Sequence, residues 1–561
     1  MAKSSILSAM SRSSFSRASI MIAGGTMLSR VLGLIRQMLM VFAIGSLGFS
    51  ANAYVTAGRV PYLIYTLVIS GALTAVLVPQ ITKAAMAKDR GQAYIQKLLT
   101  VTVVAGAVLT IACALIAPVL IATMTPGWSA EHRQLAVYFA LWLTPQVFFF
   151  ALYTVVGEVL NARSLFGPYA WTPALNNAFH ITGLLVFCWV FGSDPDGTAS
   201  MARWNTLGQF LVAGTATLGV ASQALVLFLF FKRADIKFRF DFNWRGVGLS
   251  DASKIASWTL GSVALAQILG LYQAAAMNRA SASEIGLAAS EFAQLIFILP
   301  HAIIVVSVVM ASFTRMSENA NAGDFTALKH ALSRTLTLTI SSTAICAAVL
   351  AVLSLEISRI LQPTALPNTV ANVALMLFIT VLGLTPFSTL YVLNRGFFAL
   401  SNTRTPFFVN LVHTICTAIF TATTFLWPSK YTAILITLSY AVSCVAQAGA
   451  TFMLLRELIG SIGGKAITHN ICKTLAATAV SVICGLLTLL GMRLRLSPDT
   501  IPAATNEYDL SILSTVTFTP ALISAGAVTA VMFASYAVAL LALRHPLATA
   551  AKEKITARFK R

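Results

Sequence analysis

Three arginines pose the chemical question. Arg30, Arg36 and Arg59 lie in two long apolar stretches, AGGTMLSRVLGLIRQMLMVFAIG and ANAYVTAGRVPYLIYTLVISGALTAVLVPQITK, and no Asp or Glu precedes Asp89. A guanidinium at membrane depth costs about 2.5–3.5 kcal/mol on insertion scales. With no carboxylate nearby, a polar cavity and an anion from outside the chain would offset that cost. A planar, permanently charged guanidinium matches phosphate or pyrophosphate through two parallel hydrogen bonds. The pattern therefore points to binding of a phosphorylated group within a membrane. The competing reading is structural: the side chains snorkel, or pair with Glu158 or Glu291.

Spacing sharpens the pattern. Arg30 and Arg36 are six residues apart, roughly 9 Å along a helix and about 240° around it, so they do not share a face. Arg36 and Arg59 make the better pair. Counted from the link near Gly48–Asn52, they lie about 16 Å and 10 Å deep on adjacent antiparallel helices. Gly24, Gly25, Gly33, Gly45, Gly58 and Gly71 punctuate both stretches, Pro61 interrupts the second, and Pro300 has a similar place later in the chain. Close packing explains these residues as well as bending during alternating access does. Gly71, Pro61 and Pro300 are the hinge candidates.

The elements that must position the arginines follow from hydropathy. The chain has 561 residues, 57% hydrophobic and 10% charged, with mean hydropathy +0.81. Apolar runs of membrane-spanning length recur from end to end, so the fold class is an all-α integral membrane protein. A β-barrel is excluded because the runs are continuous rather than alternating. About fourteen spans are expected, at 20–47, 53–82, 98–123, 135–161, 170–192, 205–231, 255–278, 288–314, 335–354, 370–398, 407–427, 432–455, 474–492 and 515–543. The net charge of +20 would suggest nucleic acid in a soluble protein. Here Lys and Arg distribute 28 to 7 between alternate connections when both termini are placed in the cytoplasm. That bias explains the charge and argues against a nucleic-acid partner. The seven cysteines all fall inside apolar runs without a CxxC pair, as small core residues would.

The expected organisation is a basic N-terminal tail (1–19), an N-lobe of six spans (20–231), a cytoplasmic amphipathic linker (232–254), a C-lobe of six spans (255–456), two further spans (457–543) and a basic cytoplasmic tail (544–561). The linker text KRADIKFRFDFNWRGVGLSDASK alternates charge with Phe and Trp, as an interfacial segment does. A weak internal repeat supports two pseudo-repeated six-helix bundles. LVPQITKAAMAKDRGQAYIQKLLT resembles SFTRMSENANAGDFTALKHALSRTLT, aligning Asp89 with Asp324; VLNARSLFGP echoes FFALSNTRTP, aligning Pro168 with Pro406.

Enzymatic motifs are scarce. GSIGGKA at 460–466 has the wrong spacing for a phosphate-binding loop and no hydroxyl after Lys465, which argues against ATP hydrolysis. HExxH and GxSxG are absent, and the seven histidines show no metal spacing. His180 and His413 fall inside spans, where a structural role outweighs a proton relay. Asp194-Pro195-Asp196 forms a DxD in an outer connection. A membrane glycosyltransferase would use such acids to hold a metal and a lipid phosphate, but Ser-Asp-Pro-Asp-Gly is also ordinary turn chemistry.

Taken together, SRVLGLIRQ (29–37), Gly45, Ala53, RVPYLIY (59–65), SGALTAVLVPQ (70–80), LNARSLFGPYAWTPALNN (160–177) and ILPHAIIVVSVVMASFTRMS (298–317) resemble the lipid II flippase family (MurJ/MviN). That family belongs to the multidrug/oligosaccharidyl-lipid/polysaccharide (MOP) exporter superfamily. The resemblance implies fourteen helices in two lobes around a cavity that opens alternately to each side. It implies a cargo, lipid II, an undecaprenyl-pyrophosphate-linked peptidoglycan precursor whose headgroup enters the cationic cavity while its lipid tail lies in a groove beside spans thirteen and fourteen. The family's span-one arginines fall on Arg30 and Arg36. Elsewhere the chain departs from the pattern: the acid after the second arginine is Gln37, the outer-loop Asp is Asn52, the span-two Arg and Glu are Tyr65 and Ser70, and the span-eight Arg is Leu295.

The expected function is therefore outward transport of a lipid-linked peptidoglycan precursor across the bacterial plasma membrane, by alternating access and without ATP. Arg30, Arg36 and Arg59 are the headgroup ligands, with Asn52, Tyr65, Ser70, Arg279 and Gln294 as secondary candidates. No catalytic residue, metal or cofactor is expected; a monovalent ion or the membrane potential is the candidate energy source. The expected partners are lipid II, the bilayer and the cell-wall synthesis machinery. Another superfamily exporter, of a polysaccharide lipid or of a drug exchanged for a cation, is the alternative, followed by a membrane glycosyltransferase and a non-transporting scaffold.

Overall fold

A computed structural model describes residues 24–68, 81, 84, 89, 91–163, 165–243, 253–280, 284–496, 516–549 and 552–553. Among them every regular element is a helix. The chain divides into two units, residues 1–282 and 283–561.

The first unit holds α1 (Gly24–Ile44), α2 (Gly48–Val68), α3 (Gln92–Met124), α4 (Ala130–Ala162), α5 (Phe166–Phe191), α6 (Thr206–Phe230) and α7 (Ser253–Met277). The second holds α8 (Leu287–Asn321), α9 (Phe325–Val352), α10 (Pro367–Ala399), α11 (Arg404–Leu426), α12 (Ser429–Ile459), α13 (Gly464–Leu496) and α14 (Phe518–Ala542). Among the described residues, thirteen of these helices are long and apolar enough to cross a membrane. α2 is the helix outside that set; residues 69–80, where its span was expected to continue, lie outside the described residues.

Helix starts follow local chemistry. Asp324 caps α9 by accepting the Ala327 amide at 2.9 Å, and Asp89 accepts the Gly91 and Ala93 amides at 3.0 and 2.9 Å just before α3. The aligned prolines Pro168 and Pro406 both fall in the first turn of their helices, where a missing N–H costs nothing. The two halves of the chain thus start corresponding helices with the same devices.

Packing differs from that of a water-soluble core. Lipid tails are as apolar as Leu, so tight van der Waals contact and buried hydrogen bonds hold such helices together. In the first unit, Leu98 and Leu99 of α3, Val155, Val156 and Val159 of α4 and Leu227 of α6 form a dry cluster closed by Phe231 and Ile236 beyond α6. The chain after α6 runs extended along α3, with the Lys237 carbonyl accepting the side-chain amides of Gln92 and Gln96 and the Asp241 amide donating to Thr100. The first part of the expected amphipathic linker is therefore docked against α3; residues 244–252 lie outside the described residues.

In the second unit, α13 and α14 are laced to α9 by polar groups. Tyr536 donates to the Ser341 carbonyl at 2.7 Å, Ser341 and Thr474 hydroxyls meet at 2.9 Å, and Ser481 donates to the Met532 carbonyl at 2.8 Å. A short helix, Ser354–Leu361, was not anticipated from hydropathy. It buries Glu356 completely, and that carboxylate pairs with Arg493 at the end of α13 at 2.5 Å.

Among the described residues two helices contain a π-turn. His301–Val305 follows Pro300 in α8, where the proline ring cannot accommodate or donate the regular hydrogen bond. Phe210–Gly214 interrupts α6 without a proline. Pro61, by contrast, is buried within an α2 that continues to Val68.

Candidate functional site: a guanidinium without a carboxylate

α1 meets α5 at Gly25, which lies against Ala170 and Trp171, and one turn on at Asn177. Asn177 donates to the Ser29 carbonyl at 2.9 Å, and Gly33 lies against the same amide. This fixes the rotation of α1 and separates its two arginines. Arg30 is exposed; Arg36 is half-buried. The roughly 240° between them places them on different faces, as the spacing predicts.

Arg36 has Tyr54 of α2 and His180 of α5 as its electrostatic neighbours. Arg203–Asp194 and Arg493–Glu356 form ion pairs, whereas among the described residues neither Arg30 nor Arg36 has a carboxylate or a hydrogen-bond partner. The Tyr54 and His180 rings lie 6.4 Å apart, and behind them Phe139 packs edge-on to Tyr54 at 5.7 Å and to Trp204 at 5.1 Å. Among the described residues the wall around Arg36 is aromatic and offers no negative charge.

His180 is buried, and its Nε2 sits 2.9 Å from the Val212 carbonyl. That carbonyl belongs to the π-turn of α6, and the contact supports the structural role foreseen for this histidine. The close crossing of α5 and α6 makes it possible: a Cβ on Gly183 would meet the Thr215 side chain at 2.1 Å.

Arg59 is held differently. Its Nη1 donates to the Gly270 carbonyl of α7 at 2.9 Å. Because α1 ends at Ile44 and α2 begins at Gly48, Arg36 lies about 12 Å and Arg59 about 16 Å from the link between them. The expected depth order is thereby reversed, since α2 starts earlier than its hydropathy indicated.

The secondary candidates are scattered. Asn52 is buried near the start of α2, and Tyr65 packs its ring on Phe150 at 4.8 Å. Arg279 follows α7, its backbone amide donating to Ala276 at 3.3 Å. Gln294 is half-buried in α8 and has no hydrogen-bond partner among the described residues. Ser70 and Gly71 lie outside the described residues.

The DxD loop has a structural task. Asp194 accepts the Thr198 and Ala199 amides at 2.9 and 3.0 Å and pairs with Arg203 at 3.4 Å, with both side chains buried. Arg203 also donates to the Gly192 carbonyl at 2.6 Å and lies over the Phe187 ring at 4.8 Å. The Asp194 amide donates to Phe42 of α1 at 3.0 Å. Gly48 and Gly197, both at positive φ, touch backbone to backbone, leaving no room for a Cβ on either. This loop therefore clasps the α1–α2 link. Sequence reasoning did not find that contact, because no local pattern joins Arg203 to Asp194 and Phe42.

The geometry describes a membrane domain with an uncompensated cation in its first helix. The family model "Lipid II flippase MurJ" matches residues 40–497. A probable lipid II flippase MurJ of Rhizobium tropici is 27% identical over 399 residues, covering 69% of this chain and 71% of that protein. Another of Synechocystis is 25% identical over 476 residues, covering 83% and 86%. Among solved structures, a lipid II flippase MurJ in an inward closed conformation aligns with TM-score 0.67 and 18% identity, over 93% of this chain and 100% of its own. An inward-facing multidrug resistance MATE family transporter of the MOP superfamily aligns with TM-score 0.61 and 15% identity, over 79% and 98%. The last two likenesses concern the fold; the match of the family model over most of the sequence is what establishes that this chain belongs to the lipid II flippase MurJ family.

Proposed function

We propose that this protein carries lipid II, an undecaprenyl-pyrophosphate glycopeptide, from the inner to the outer leaflet of the bacterial plasma membrane, and that Arg36 binds the pyrophosphate. The observation that carries this reading is the half-buried Arg36 guanidinium with no carboxylate among the described residues. An anionic headgroup supplies the missing counter-charge and takes two parallel N–H donors from one edge of the guanidinium. Arg30, exposed on the other face of α1, meets the headgroup at a different stage of transit. Arg59 acts after exchanging the Gly270 carbonyl for a phosphate oxygen.

The Lys/Arg bias supports a cytoplasmic position for both termini. Alternating access moves the headgroup without ATP, and the membrane potential resets the empty carrier, at about 2.3 kcal/mol per charge per 100 mV. The cell-wall synthesis machinery consumes the cargo outside. A drug/cation antiporter needs intramembrane acids, in which α1 and α2 are wanting.

Depletion of the protein tests the reading. The labelled precursor is expected to accumulate on the cytoplasmic leaflet and vanish from the outer one. Arg36→Glu at unchanged expression should reproduce depletion. Normal outer-leaflet precursor in either experiment would refute the proposal.

A further inference from the structure

The strongest unexplained atom in the first unit is His180 Nδ1. It is buried and has no hydrogen-bond partner. The opposite ring nitrogen settles its chemistry. Val212 offers a carbonyl, which only accepts, so Nε2 carries the proton and donates. In the neutral ring Nδ1 is then a bare lone pair, an acceptor one turn beyond Asn177 on α5, just as Arg36 is one turn beyond Gly33, the α1 residue that lies against Asn177. Buried polar atoms without partners are rare in native proteins and call for an explanation.

We propose that His180 is a positioning residue for Arg36: its Nδ1 accepts an N–H from the guanidinium when an anion occupies the opposite edge. The idea rests on the reading of Arg36 given above. A guanidinium has five N–H donors in a rigid fork, and a bidentate phosphate uses two. The rear N–H groups then need acceptors of their own. Carboxylates would cancel the positive charge that the cargo needs. A neutral imidazole orients the fork and leaves that charge intact. The π-turn of α6 supplies the fixed carbonyl that holds the ring in the required tautomer. The other groups facing the ring are Tyr54 and the Val212 carbonyl.

The full-length protein, purified in detergent, is titrated with inorganic pyrophosphate. His180→Gln places an amide donor near the Nε2 position and removes the Nδ1 lone pair. It should weaken pyrophosphate affinity about fivefold, the worth of one hydrogen bond, with the melting temperature retained. In an Arg36→Lys background the same change should add less than about twofold, because the partners act as one unit. His180→Asn keeps an acceptor near the Nδ1 position while losing the Val212 contact. It should melt earlier yet bind almost normally, which keeps the test decisive if His180→Gln fails to fold. Tyr54→Phe should leave affinity within about twofold.

Wild-type affinity in Arg36→Lys would overturn the pyrophosphate reading itself. Weak binding in Arg36→Lys with normal binding in His180→Gln would overturn this inference alone. Additive losses, or a Tyr54→Phe loss equal to that of His180→Gln, would do the same.

Discussion

Replacing Asp194 by Ala tests whether the 192–205 loop is a structural clasp. The substitution leaves Arg203 buried without its carboxylate and removes the acceptor of two backbone amides, those of Thr198 and Ala199. Removing one partner of a buried pair costs about 3–5 kcal/mol. Arg203 keeps its 2.6 Å bond to the Gly192 carbonyl and its place over Phe187, so the charge is not wholly stranded. The lower end, about 3 kcal/mol, is therefore expected. Asp194→Asn keeps the shape and one acceptor oxygen and should cost about 1–2 kcal/mol. Because Arg203 and Asp194 share one network, Asp194→Asn combined with Arg203→Gln should be less damaging than the sum, by about 1–3 kcal/mol. Thermal unfolding of detergent-solubilised protein measures all three, and limited proteolysis should cut Asp194→Ala near residues 192–205 first. Strict additivity, or an Asp194→Ala protein that melts like the wild type and resists cleavage, would show that the loop bears no such load.

Two further outcomes follow from the same physics. Glu356→Ala strands Arg493, but Arg493 is a quarter exposed at 24%, so water screens part of the loss. A destabilisation of about 2 kcal/mol by thermal unfolding is expected, with no change for the exposed Arg495→Gln. The Ala93 and Gly91 amides hold the Asp89 carboxyl below the usual carboxylate range. Its folded pKa is depressed, so its contribution is complete above the unfolded value of about 3.9 and fades as pH falls through the folded one. Protection of the Gly91 and Ala93 amides, taken relative to the intrinsic exchange rate at each pH, should fall on acidification, and Asp89→Asn should flatten that dependence.

Much of the fold was legible because membrane helices announce themselves by length and apolarity. The expected span 205–231 is matched by Thr206–Phe230, and 98–123 lies within Gln92–Met124. α2 was placed late because Ser50 and Asn52 keep its first turn polar, although both are buried. The rotation of α1 was legible too: six residues on a helix sufficed to separate Arg30 from Arg36. What escaped was long-range. Neither the Asn177–Ser29 bond nor the Glu356–Arg493 pair leaves a local trace, since each joins residues more than a hundred positions apart. The Val212 carbonyl escaped for another reason: the π-turn that presents it contains no proline to betray it.

The clasp at residues 192–205 has a mechanical corollary. With Phe42, Gly48 and Ser50 bound to it through Asp194, Gly197 and Trp204, the tips of α1 and α2 cannot part from the start of α6. Like tweezers joined at one end, these helices have freedom to spread only at the other, so a headgroup entering between them would prise apart the unclamped ends first.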